Sequence, residues 1–170
     1  MLISLRELEL HRISVSETYP PGAVDYHEVN IRQVGPLKVE AAAELVEKEM
    51  SIRGRVSAQL ESSCDRCLGK VELPVESSFD LLYRPLATIA REEEVELPAD
   101  ELEVGFYTGE GVELKDVATE QVLLSVPMKV LCRPDCLGLC PACGVNRNIE
   151  HCDCSSERKD SPFAVLKKMQ

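Results

Sequence analysis

The chain has no tryptophan, and its 3 Phe and 4 Tyr hold the aromatic share to 4%. An aromatic-rich core is therefore excluded, and Leu, Val, Ile and Ala must fill the interior. No stretch approaches the ~20 apolar residues that span a bilayer. The N-terminal MLISLRELELHR carries charge from Arg6 onward and lacks an apolar run with a small-residue cleavage site. These absences predict a soluble, cytoplasmic protein with no membrane partner. There is no internal repeat, no glycine loop that would cradle phosphate and no defensible Ser-His-Asp spacing.

Clustered positive charge is scarce as well. The net charge is −11, and residues 91–125 alone hold 11 Asp/Glu against 2 Lys/Arg. Residues 126–170 hold 7 Lys/Arg against 5 Asp/Glu, a slight basic excess. Phosphate backbones are bound through clustered Lys and Arg, so a free-standing, high-affinity RNA binder is not what this chain encodes.

What the chain does have is cysteine: 8 in 170 residues, six of them in CRPDCLGLCPACGVNRNIEHCDC, residues 132–154. They are Cys132, Cys136, Cys140, Cys143, Cys152 and Cys154. CPACG around Cys140 has the shape of a metal knuckle. Two thiolates three residues apart converge on one ion, and the following glycine lets backbone amides approach the sulfurs. Inert buried cysteines would not gather in a segment rich in Gly, Pro, Arg and Asp. In a reducing compartment such thiols point to metal rather than to disulfides.

Along the chain, residues 2–10 read as a first strand, Tyr19-Pro20-Pro21-Gly22 as a loop, and Val24 to Val34 as another strand. Residues 37–48 have helix-forming composition but also fit a period of two, and are read as a strand. Ile52, Gly54, Val56, Ala58 and Leu60 alternate with polar residues and form a half-buried strand, entered by a turn near Glu49 to Ser51. Val71, Leu73, Val75, Phe79, Leu81 and Tyr83 alternate best of all. Cys64 and Cys67, in CDRCLG, therefore sit at a hairpin tip. A thioredoxin-type thiol wants a helix N-terminus instead.

Residues 87–103 read as a solvated acidic loop, and Val104 to Thr108 as a short strand. The main helix is expected over 113–125, ended by Pro127. His11 and His27 are expected on surface strands, while His151 is a candidate substitute ligand beside Cys152. The predicted fold class is α+β. A mainly antiparallel β domain over residues 1–126 precedes a zinc-binding module over 127–154, and residues 155–170 form a polar linker and tail.

Eight thiolates suffice for two closed tetrahedral sites, and zinc is the metal such sites select. An iron–sulfur cluster is the alternative. The expected sharing pairs Cys64 and Cys67 with Cys132 and Cys136, leaving Cys140, Cys143, Cys152 and Cys154 as a second site. The rival sharing joins Cys64 and Cys67 to Cys140 and Cys143.

Together the Cys64-Asp65-Arg66-Cys67-Leu68 element, the helix ending VLLSVPMK, the GLCPACGVNRN run and the closing SPFAVLKK resemble the large ribosomal RNA subunit accumulation protein (YceD-like) family. The resemblance runs over roughly residues 37–170. It implies a non-enzymatic role in accumulating large-subunit ribosomal RNA, with the precursor large subunit or a ribosomal protein as partner. Direct RNA contact stays open. The rivals are a thiol redox protein using Cys64 and Cys67, and a metal-stabilised protein–protein adaptor.

Overall fold

The structure, a computed structural model, describes residues 1–27, 30–46, 49–88 and 104–154. The chain divides into two compact units. One comprises Met1–Ser62 with Glu72–Met128, and the other comprises Ser63–Val71 with Lys129–Gln170.

Among its described residues the first unit is a β structure with two helices. Strand β1 (Leu2–Ser4) runs into helix α1 (Leu5–Leu8), followed by β2 (Ile13–Tyr19), β3 (Ile31–Gln33), β4 (Leu37–Val46), β5 (Glu49–Ser63) and β6 (Lys70–Pro85). A 3₁₀ turn (Leu86–Thr88), β7 (Val104–Tyr107), β8 (Gly111–Glu113) and helix α2 (Leu114–Ser125) follow. The larger sheet has the order β2-β4-β5-β6-β7, with β3 also paired to β5. Strands β1 and β8 form a separate antiparallel pair, and β6 with β7 is a parallel one.

Alternation sets which face is inside. Val39, Ala41 and Ala43 of β4 and Ile52, Val56, Ala58 and Leu60 of β5 are buried. Their neighbours Lys38, Glu40, Arg53 and Arg55 stay exposed, with Arg53 paired to Asp80 at 2.9 Å. Helix α2 closes the core with Leu114, Val117, Ala118 and Val122. As the aromatic shortage requires, the side chains with no exposure are Ile, Leu, Met, Val, Ala and Cys, with no aromatic among them.

Several expectations need correction. Residues 2–10 do not form one strand, because Ile3 and Leu8 are both buried and a helical turn between them brings both inward. Among the described residues of 24–34 only Ile31–Gln33 is a strand, while Val24 and Tyr26 reach the core from a loop. Glu49 to Ser51 is not a turn: the register pairs Glu49 with Val46, Met50 with Leu45 and Ser51 with Glu44. Strand β2 was not expected, although Ile13, Val15 and Tyr19 alternate with Ser14, Ser16 and Thr18. His11 and His27 are exposed but lie outside strands, His27 at φ 53. From residue 89 onward the acidic stretch lies outside the described residues, as does the tail 155–170. No helix among the described residues is long and apolar enough to cross a membrane.

Candidate metal centres

The second unit is built on two knuckles with the same backbone design. In the first, Leu68 N–H donates to the Cys64 carbonyl at 2.8 Å and Cys64 N–H donates to the Gly69 carbonyl at 2.7 Å. In the second, Gly144 N–H donates to the Cys140 carbonyl at 2.8 Å and Cys140 N–H donates to the Val145 carbonyl, also at 2.8 Å. The residue after the second cysteine is left-handed in both, Leu68 at φ 59 and Gly144 at φ 75. In the first knuckle the Gly69 amide that follows reaches the Cys67 sulfur.

The sulfurs of Cys64, Cys67, Cys132 and Cys136 all lie within 4.8 Å of one another, as do those of Cys140, Cys143, Cys152 and Cys154. Cys64 Sγ to Cys136 Sγ is 3.9 Å and Cys67 Sγ to Cys132 Sγ is 3.6 Å. A tetrahedron of sulfurs each ~2.3 Å from one ion has an edge of ~3.8 Å. All eight cysteines are free thiols in this arrangement. His151 joins neither group: its side chain is exposed, with Nε2 3.4 Å from Asp153 Oδ1.

The first group is assembled by the two residues between its knuckle cysteines. Asp65 N–H donates to the Val130 carbonyl at 2.8 Å, and Val130 N–H donates to Asp65 Oδ2 at 2.7 Å. This two-point clamp fixes the segment that leads to Cys132. Arg66 Nη1 donates to the Cys136 carbonyl at 2.8 Å and to the Pro134 carbonyl at 3.3 Å, holding the turn that delivers Cys136. Leu139 N–H donates to the Arg66 carbonyl at 2.9 Å. Hydrogen bonds to charged groups contribute roughly 1.5–3 kcal/mol each, so Asp65 and Arg66 are part of the site. Sequence reasoning assigned them no role; their place between two metal-spaced cysteines was the available signal. Asn148 was also missed. Its Nδ2 donates to Cys136 Sγ at 3.3 Å.

Charge is divided unevenly among the sulfurs. Burial pushes the Cys64 thiol up, but the amides of Cys132, Arg66 and Cys67 outweigh it and bring it down to about 6. Cys136 is also lowered, with burial overcome by the Asn148 side chain and the Gly138 amide. Burial and then the sulfurs of Cys136, Cys67 and Cys64 drive Cys132 up to about 12. In the second group the amides of Cys143 and Ala142 bring Cys140 down to about 6, while the Cys143 sulfur drives Cys154 up to about 12. Each group thus stabilises negative charge on some sulfurs and resists it on others. A cation at the centre relieves that conflict, because four thiolates then share one positive neighbour. The residues fit a metal ion.

Fold and site together define a small β protein carrying two clusters of four cysteines, each able to hold a metal ion. The chain belongs to the family described as Large ribosomal RNA subunit accumulation protein YceD, whose pattern it matches over residues 52–170. Every cysteine lies in that span. A protein of Mycobacterium tuberculosis is 31% identical over 137 residues, covering 81% of this chain and 62% of the relative. The chloroplastic large ribosomal RNA subunit accumulation protein YCED homolog 1 of Arabidopsis thaliana is 25% identical over 159 residues, covering 75% of this chain and 47% of the relative. The protein YlbN of Bacillus subtilis is 20% identical over 169 residues, 99% of this chain and 94% of the relative. The match therefore spans less than two thirds of the mycobacterial relatives' length. No solved structure matches the chain.

Proposed function

We propose that this chain is a non-enzymatic, cytoplasmic accessory factor in large ribosomal subunit biogenesis, supporting accumulation of the large-subunit ribosomal RNA with two zinc ions as structural cofactors. The observation that carries this reading is the family match over residues 52–170, which includes both clusters whole. Cys64, Cys67, Cys132 and Cys136 would hold one ion and Cys140, Cys143, Cys152 and Cys154 the other. Zinc would supply cross-linking of the chain, because a closed set of four thiolates leaves no open position for a substrate. Sulfurs within 4.8 Å of one another suit a single ion better than a multi-iron core, which needs space between its ligands. The redox rival is disfavoured because each CxxC pair has two further thiols at ligand distance.

The partner in this reading is the precursor large subunit or one of its proteins. With a net charge of −11, binding to isolated RNA is expected to be weak and lost as salt rises. Depletion of the protein tests the proposal: large-subunit ribosomal RNA should fall relative to the small-subunit RNA. An unchanged ratio would overturn it. Elemental analysis of protein purified without added metal should find about two zinc per chain, and iron with acid-labile sulfide would reject the cofactor assignment.

A further inference from the structure

We infer that the two clusters are coupled, and that Asn148 is the positioning residue through which the second cluster sets the metal affinity of the first; the inference rests on the zinc reading above. Asn148 lies in the loop between Cys143 and Cys152, which the second cluster closes. Its side chain nevertheless serves the first. Asn148 Oδ1 accepts from Leu137 N–H at 2.8 Å and from Arg133 Nη2 at 2.9 Å. Its Nδ2 donates to Cys136 Sγ at 3.3 Å and to Asn146 Oδ1 at 2.8 Å. Two donors meet one end of the amide and two acceptors the other, so the orientation has a single consistent solution.

One side chain therefore holds both flanks of the turn that presents Cys136 and also solvates its sulfur. The loop is braced by Arg147 N–H on the Gly138 carbonyl at 3.0 Å and by Ile149 and Glu150 N–H on the Asn146 carbonyl. Among the described residues its far end is anchored through Cys152 and Cys154, of which Cys154 is exposed. Releasing that anchor frees the loop, and Asn148 loses the restraint that keeps its N–H on Cys136. Groups that hydrogen-bond a metal ligand commonly change metal affinity by roughly 10–100-fold when removed. Emptying the second cluster should thus weaken the first by a comparable factor, although no second-cluster sulfur belongs to the first.

Zinc release from the full chain into excess colorimetric chelator tests this. Wild-type protein should lose two ions in a fast and a slow phase. Asn148→Asp replaces the donor by an acceptor that repels thiolate, and Asn148→Ala removes it. Both should speed the slow phase about tenfold and leave the fast phase unchanged, with far-UV circular dichroism as in the wild type. In Co²⁺-loaded protein the sulfur-to-cobalt charge-transfer band of the slow site should shift in both variants, a change that a purely structural role would not produce. Cys152→Ser should remove the fast ion and accelerate the slow one, and adding Asn148→Asp to it should give less than about a further twofold change. A slow phase unaltered in both Asn148 variants, or multiplicative effects of Cys152→Ser and Asn148→Asp, would overturn the coupling. Wild-type protein without stoichiometric metal would instead overturn the zinc reading itself, before any variant is compared.

Discussion

Cys64, Cys67 and Cys136 of the first cluster are buried, Cys64 completely, whereas in the second only Cys140 is, and Cys143 and Cys154 are exposed. The knuckles at the centre of each are nearly the same in backbone hydrogen bonding. The difference lies in where the other two ligands come from. Cys132 lies 65 residues beyond Cys67 in the chain, while Cys152 follows Cys143 after eight intervening residues. Cross-linking the longer loop restricts the unfolded chain more, by about 1.7 kcal/mol from the logarithmic dependence on loop length. The same local motif thus serves as a long-range tie in one case and a short staple in the other.

The largest effect that would break this comparison comes from removing one ligand of each. Cys64→Ser should lower unfolding free energy by on the order of 3 kcal/mol or more, since it deletes the ion and leaves buried thiolates without their cation. Cys152→Ser should lower the main denaturant transition by only about 1.4 kcal/mol, the equivalent of a tenfold weaker first ion, and loosen chiefly the segment after residue 136. Equal losses in the two variants would show that burial and loop length do not separate the clusters.

Thiol reactivity sharpens the contrast at an intermediate scale. With metal removed by chelator, alkylation followed by peptide mass mapping should label the exposed Cys143 at least about tenfold faster than the buried Cys64 and Cys136, access outweighing their lowered pKa, and faster than Cys154, whose pKa of about 12 withholds the thiolate. Similar rates at Cys143, Cys64 and Cys136 would mean that the first cluster opens as readily as the second.

A smaller test uses two glycines. Gly138 has φ 73, and a Cβ there would meet the Arg66 carbonyl oxygen at 2.9 Å; Gly144 has φ 75 and nothing within 4 Å. Gly144→Ala should bear only the conformational penalty, about 1 kcal/mol. Gly138→Ala should exceed it and preferentially destabilise the first cluster, read as faster release of the slowly exchanging ion.

The central strands were legible because β4, β5 and β6 each bury one face, and a period of two writes that directly into the residues. VEAAAELV shows the limit of propensity: its helix-forming composition yields to pairing with β2 and β5 on either side. The parallel pairing of β6 with β7 and the meeting of β1 with β8 join segments distant in sequence, and neither leaves a local mark. At the candidate metal centres, cysteine spacing announced which residues to watch, and the fold brings their sulfurs into two groups of four within 4.8 Å of one another. Asp65, Arg66 and Asn148 were not announced. Their role depends on which backbone groups the fold brings opposite them, as Val130 is brought to Asp65.

The 65-residue gap between Cys67 and Cys132 also sets a schedule. A ribosome adding roughly 5–20 residues per second needs about 3–13 s to pass from one to the other. During that interval the nascent chain carries a bare half-site while β6, β7, β8 and helix α2 are being made. The second cluster, from Cys140 to Cys154, is synthesised within about 1–3 s at the same rate. The knuckle that appears first thus waits for partners made 65 residues later, and an ion held there would be locked in place only once they emerge.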